Sequence, residues 1–204
     1  MADAFTAESG PVPARAGSIT LVRHGEPAIS RKVRFNAESY GRWWLDRYEP
    51  GSLRAGQTPP PALIDAAAKA GTLIASTRIR SIESATLLAG GRAFAQDPLF
   101  IEAPLPAPPW PSWIRLSPKA WGFWSRFWWW FLDYHGGQES RGQAELRADQ
   151  AAAVLEGFAD SGQDVMLVAH GFFNVMIGRA LKKRQWRKVS DGGFRYWKAK
   201  RYER

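Results

Sequence analysis

A three-layer α/β/α sandwich with a mostly parallel central sheet is the fold class this chain predicts, on three observations. Short apolar runs without alternation recur at residues 19–23, 72–76, 99–101 and 165–169, as strands buried on both faces require. Segments with helical periodicity lie between them, the β-α-β-α order of an α/β domain. Two of the strands also end alike, each running into a histidine and then a glycine (His24-Gly25 and His170-Gly171).

Taken in order, residues 1–17 are rich in Ala, Pro and Gly and carry Asp3 and Glu8. With no apolar stretch behind a basic start, they read as a flexible tail and not a signal peptide, leaving residues 18–204 as one domain. After the first strand, Trp43, Trp44, Arg47 and Tyr48 suit a short helix stopped near Pro50-Gly51. Pro59-Pro60-Pro61 leads a helix through Ala70, with Leu63, Ala66, Ala67 and Ala70 on one side and Gly71 as its stop. The strand at 72–76 runs into Thr77 to Arg80 and a helix carrying Ile82, Ala85, Leu88 and Ala89, closed by Gly90-Gly91. Residues 99–101 are expected as the third strand, with Glu102 at its end, and the prolines of 104–111 as extended chain. Ser140 and Gln143 form a capping box for a helix over 139–159, whose apolar stripe is Ala151, Val154, Leu155 and Phe158. A fourth strand, a helix over 172–181 and a final strand over 194–202 complete the chain.

Composition narrows the chemistry. The 204 residues include no cysteine, so there is no disulfide, thiolate nucleophile or cysteine-held metal; a cytoplasmic setting fits. The net charge is +9, and the segment 179–204, with eleven basic and two acidic residues, carries an excess of the same size. The rest is balanced. Aromatic residues interleaved with that basic segment (Trp186, Phe194, Tyr196, Trp197) could grip nucleic acid. A solvated helix end followed by a strand ranks above that reading.

Open α/β sheets hold ligands beyond the carboxyl ends of their strands. Arg23 and His24 fall there after the first strand, Arg80 just past the second, Glu102 past the third and His170 past the fourth. If the strands are neighbours, two histidines, two arginines and a carboxylate converge. That set suits a phosphate monoester. Arginine offers permanent, planar donors to phosphoryl oxygens, and a neutral imidazole is a competent nucleophile. Its second nitrogen needs an acceptor, expected to be a backbone carbonyl at the Gly25 turn. A carboxylic acid can protonate the leaving alkoxide.

Arg23-His24-Gly25-Glu26 resembles the signature of the histidine phosphatase superfamily, the phosphoglycerate-mutase-like proteins. Ala75-Ser76-Thr77-Arg78-Ile79-Arg80-Ser81-Ile82-Glu83-Ser84-Ala85 resembles that family's Ser-Ser-Pro-x-x-Arg-Ala-x-x-Thr-Ala segment. Gln138-Glu139-Ser140 and Val168-Ala169-His170-Gly171 resemble its Gly-Glu-Ser helix start and its second-histidine motif. The matches occur in the family's order and span residues 19–181. The resemblance implies His24 as the phosphorylated nucleophile, with Arg23, Arg80 and His170 binding phosphate and Glu102 as proton donor. It implies no metal or organic cofactor and a small phosphorylated substrate or a phosphoprotein. Ser30 stands where many relatives have asparagine, and Thr77 replaces the proline before the second arginine. The mutase-type Arg-Tyr-Gly after the donor glutamate is missing, which favours the phosphatase branch. A three-histidine zinc site from His24, His135 and His170 is disfavoured, because the arginines would repel a cation.

The segment about 104–137 is a Trp-rich helical insertion, and residues 110–134 hold seven of the eleven tryptophans. Its apolar run is shorter than the ~20 residues needed to span a bilayer. The resemblance implies that a segment in this place covers the active site, so a hydrophobic lid or substrate-binding insertion is the leading reading, ahead of core packing and of contact with a membrane surface, which the basic tail would assist; an exposed Trp-rich helix would favour a homodimer. Candidates for substrate contact are Arg31, Arg34, Trp124 and Trp128, the arginines being read first as surface charges. Two rivals are a non-catalytic relative that binds a phospho-ligand or partner, and a membrane- or nucleic-acid-associated module.

Overall fold

The computed structural model describes residues 16–204, so nearly all of the tail expected over 1–17 lies outside the described residues. Six strands form one sheet: β1 (Ile19–Arg23), β2 (Thr72–Ser76), β3 (Ala95–Asp97), β4 (Val165–Ala169), β5 (Arg187–Asp191) and β6 (Ala199–Glu203). Their spatial order is β3-β2-β4-β1-β6-β5. The pairs β3-β2, β2-β4 and β4-β1 are parallel, while β6 runs antiparallel to β1 and to β5. The helices are α1 (Ala37–Trp43, continued as a π turn over Trp44–Tyr48), α2 (Pro61–Lys69), α3 (Ile79–Ala89), α4 (Pro118–Leu132), α5 (Arg141–Asp160) and α6 (Gly171–Lys183).

Alternation within the buried strands divides the core. Ile19, Leu21, Ile74, Val165 and Leu167 face α5 and α6, whereas Val22, Leu73, Ala75, Met166 and Val168 face α2 and α3. Side chains on a strand point to opposite faces in turn, so buried apolar residues on both faces demand a helical layer on both sides. That is the three-layer sandwich expected. Among the described residues no helix is long and apolar enough to cross a membrane.

Three expectations are corrected. Residues 99–101 are not a strand: the pairing segment is Ala95–Asp97, and Pro98 opens a 3₁₀ turn in which Asp97 accepts a hydrogen bond from the Leu99 amide at 2.8 Å. Proline lacks the amide that would continue the ladder. The buried face of α5 is Ala144, Ala148, Ala151, Ala152, Leu155 and Ala159, with Val154 and Phe158 exposed. Small residues let α5 approach α6 and the sheet, which a search for bulky apolar residues overlooks. Finally, residues 194–198 form a turn with Trp197 at φ 58°, and the last strand is Ala199–Glu203, hairpin-paired with β5.

Among the described residues, five of the eleven basic residues in the C-terminal segment have ion-pair partners. Arg184 and Arg204 reach Asp149, Glu156 and Asp160 on α5, Lys188 and Lys200 share Asp191, and Arg201 meets Glu203. The capping box of α5 forms as expected, with Ser140 Oγ accepting from the Gln143 amide and Gln143 from the Ser140 amide.

Helix α4 is apolar nearly all round, yet its faces have separate tasks. Trp121, Ser125 and Trp129 are buried, while Phe123, Phe127 and Phe131 are exposed. The buried indoles are satisfied: Trp121 Nε1 donates to Phe35 O at 2.7 Å and Trp129 Nε1 to Glu139 O at 2.9 Å. Trp129 belongs to the same core as α5 and α6. Trp129→Ala is therefore expected to cost about 3–5 kcal/mol in equilibrium denaturation. An unchanged midpoint would show that α4 is a detachable cover.

Candidate active site

Parallel pairing of β1 with β4 places Arg23 beside Ala169 in register. The residues that follow, His24 and His170, then leave the same edge of the sheet side by side, with ring centroids 5.2 Å apart at 66°. Both are almost fully buried. His24 Nδ1 lies 2.7 Å from Gly25 O. A carbonyl only accepts, so Nδ1 carries the proton and Nε2 holds the lone pair. The backbone carbonyl at the Gly25 turn is the acceptor anticipated above. Gly25 is required here because a Cβ would stand 2.5 Å from the Trp197 ring. Its amide donates to Ser84 Oγ at 2.9 Å, and Ser84 donates to Arg80 O at 2.6 Å.

Arg80, at the start of α3, points inward and is 1% exposed. It donates to Tyr48 O at 2.9 Å, Glu49 O at 2.8 Å and His24 Nε2 at 3.2 Å, with Glu49 Oε1 at 3.7 Å. Arg23 donates to Phe194 O at 2.6 Å and lies over the Tyr196 ring at 4.4 Å; its buried Nε has no partner. A Cβ on Gly171 would stand 3.0 Å from that nitrogen, so the glycine lets the guanidinium approach α6. His170 Nε2 is 2.8 Å from Ser76 Oγ, and its buried Nδ1 is likewise unpartnered. Buried polar groups without partners are rare in native proteins. Two of them here, beside two guanidinium groups, suit an anion.

Burial, and secondly the positive charge of Arg80, hold both imidazoles well below the usual histidine pKa of 6.5. Both rings are therefore neutral in the fold at pH 7, whereas in the unfolded chain they take up protons near pH 6.5. Below that pH the unfolded chain binds more protons, so stability is lost progressively as the pH falls from about 6.5. Denaturation midpoints should drop between pH 7 and pH 5.5, and the drop should shrink in the His24→Ala, His170→Ala double variant. The depressed carboxylates Asp149 and Asp191 act only at more acid pH, below their ordinary 3.8.

The other wall of this pocket of about 360 Å³ comes from α1, α4 and the turn after β5. Glu102 lines it and caps α6, accepting from the Phe173 amide at 2.8 Å, the Phe172 amide at 3.2 Å and the Ala103 amide at 3.1 Å. A carboxylate at a helix N-terminus is favourably placed. Of the substrate-contact candidates, Arg31 lines the pocket, donating to the hydroxyls of Tyr48 at 2.7 Å and Tyr196 at 2.6 Å. Arg34 does not; its carbonyl faces Arg115 at 3.4 Å. Trp124 and Trp128 also lie outside it, packed on Trp110 at 5.4 and 6.1 Å. The helical step turns a different face inward, that of Lys119, Gly122, Phe123 and Arg126. His135 lies in the turn before α5, away from the pocket lining. No group of three potential metal ligands is found among the described residues.

Glu49, Tyr48, Arg126, Phe194 and Tyr196 escape sequence reasoning. Tyr48 and Glu49 are placed by a π turn and its end, Arg126 by the rotation of α4, and Phe194 and Tyr196 by the turn before β6, none of which a local pattern announces. Ser84 could have been found, because it occupies the threonine position of the quoted family segment.

The fold is the phosphoglycerate-mutase-like α/β sandwich. No family model matches the chain, and no curated protein matches it in sequence. Solved structures carry the likeness. A protein from an open reading frame of Mycobacterium tuberculosis is 24% identical, with TM-score 0.50 over 83% of this chain and 80% of its own. A mycobacterial glucosyl-3-phosphoglycerate phosphatase in complex with VO3 is 19% identical, with TM-score 0.52 over 82% and 83%. A phosphoserine phosphatase mutant from Entamoeba histolytica is 14% identical, with TM-score 0.50 over 82% and 80%.

Proposed function

We propose that the chain is a phosphomonoester hydrolase acting through a covalent phosphohistidine on His24. The observation that carries this reading is the neutral His24 ring, its Nδ1 proton bonded to Gly25 O and its Nε2 lone pair turned toward buried cationic donors. Arg23, Arg80 and His170 receive the phosphoryl oxygens, and Arg80 exchanges its contact with Nε2 for one with phosphate. Nε2 attacks phosphorus as the ester P–O bond breaks. Glu102, the one carboxylate lining the pocket among the described residues, protonates the departing alkoxide. It then takes a proton from water, which attacks phosphorus and breaks the N–P bond, releasing inorganic phosphate and neutral His24. Catalysis of this kind asks mainly for positioning and charge stabilisation. No metal or organic cofactor takes part.

The substrate is a small phosphorylated molecule. The buried end holding His24, Arg80 and His170 takes the phosphate, and Trp43, Trp44, Phe123 and Phe172 line the pocket beside it. Two of the structural neighbours are named as phosphatases of such molecules, which supports this reading. The test is release of inorganic phosphate from 4-nitrophenyl phosphate and a panel of phosphorylated metabolites and phosphopeptides. A flat profile at the blank rate would refute it.

A further inference from the structure

Eight arginines among the described residues are buried or half-buried: Arg23, Arg78, Arg80, Arg126, Arg141, Arg147, Arg184 and Arg201. Six of them have a carboxylate within ion-pair distance. The two exceptions, Arg23 and Arg126, line the same pocket. Arg23 is already assigned to the phosphoryl group. Arg126 has no such explanation.

A matched neighbour makes the contrast direct. Arg147 stacks on Phe173 at 3.8 Å, donates to Glu139 at 2.7 and 2.8 Å and also reaches the carbonyls of Leu99 and Ile101. Arg126 stacks on the adjacent Phe172 at 3.7 Å and lies over Trp129 at 5.2 Å, but its hydrogen bonds go only to the carbonyls of Pro104 and Ala103, at 3.3 and 3.5 Å. Those contacts are at the long limit of hydrogen bonding. Burial pulls its pKa down to about 10. The pocket's one carboxylate, Glu102, is engaged by three backbone amides and makes no ion pair with it. The charge of Glu102 offsets part of that shift without an ion pair, which leaves a desolvated guanidinium with no anion in contact among the described residues, a costly arrangement; Arg126 lines the pocket from α4.

We propose that Arg126 receives a second anionic group of the substrate, a carboxylate or further phosphate carried by the leaving alcohol. This rests on the phosphatase reading for its first anion. Lys119, on the same pocket-facing side of α4 and without an ion pair among the described residues, adds to the field.

The test uses calorimetric binding of phenylphosphonate and its 2-, 3- and 4-carboxy derivatives, which cannot be hydrolysed, to the native protein, Arg126→Gln and Arg126→Lys. At least one carboxy isomer should bind the native protein about tenfold more tightly than phenylphosphonate, the scale of a charged hydrogen bond. Arg126→Gln should erase that preference and Arg126→Lys retain part of it. Equal binding of all ligands by the native protein would overturn the proposal. So would Arg126→Gln weakening every ligand by one factor, the mark of a structural role. Turnover of phenyl phosphate is read separately. An Arg126-dependent preference in a protein that hydrolyses nothing would uphold this assignment and defeat the phosphatase reading.

Discussion

His24→Ala should lower turnover of an aryl phosphate by at least about 10⁴-fold, because removing a covalent nucleophile leaves only binding and electrostatic stabilisation. The folded state should survive. His24 is a neutral side chain at the edge of the sheet, and the strand it follows is held by β4 and β6 without it. Circular dichroism and a cooperative melt would establish that the lost activity is chemical. A variant with native-like folding and substantial activity would eliminate His24 as nucleophile. A relative that binds phospho-ligands without turning them over would be indifferent to this substitution in rate, since it has none to lose.

Arg80→Met should damage both function and fold. The guanidinium holds the carbonyls of Tyr48 and Glu49, touches His24 and lies over the Tyr48 ring at 5.0 Å. On the proposed mechanism its loss removes one clamp on the phosphoryl oxygens, expected to cost about 10²–10³-fold in kcat. It also leaves Glu49 to its ion pair with Arg78 alone, at 2.7 Å. Losing one partner of a buried pair costs about 3–5 kcal/mol; the surviving contact places the expectation near the low end. Because the Arg80 charge is one cause of the depressed His24 pKa, the acid limb of kcat/KM should also move to higher pH. Arg80→Lys keeps the charge but cannot span the same three partners, and should recover the pH profile more than the rate. A variant with unchanged kcat and an unmoved acid limb would remove Arg80 from the site.

The fold was legible where one strand or helix carries its own pattern. Two-sided apolar runs define β1, β2 and β4, and the His-Gly ending that β1 and β4 share marks His24 and His170 as neighbours. The same logic failed at residues 99–101, which are apolar but begin after a proline. It also failed on α5, whose buried face is alanine. The cationic end of the pocket is readable because its residues follow directly on strands. The opposite wall is not, since tryptophan count says nothing about helix rotation: Trp124 and Trp128 turn away, while Gly122, Phe123 and Arg126 face inward. Tyr196 and Phe194 reach the site from a hairpin turn nearly 150 residues beyond Tyr48, a contact that no local pattern encodes.

The central claim is the covalent intermediate. Protein mixed with a phosphate-labelled aryl ester and quenched within milliseconds into alkaline denaturant should carry one phosphoryl group. That label should be stable in base, lost in acid as a phosphoramidate must be, and mapped by peptide mass spectrometry to His24. His24→Ala should carry none. Rapid hydrolysis with no trapped label, or a label on any other residue, would contradict the account.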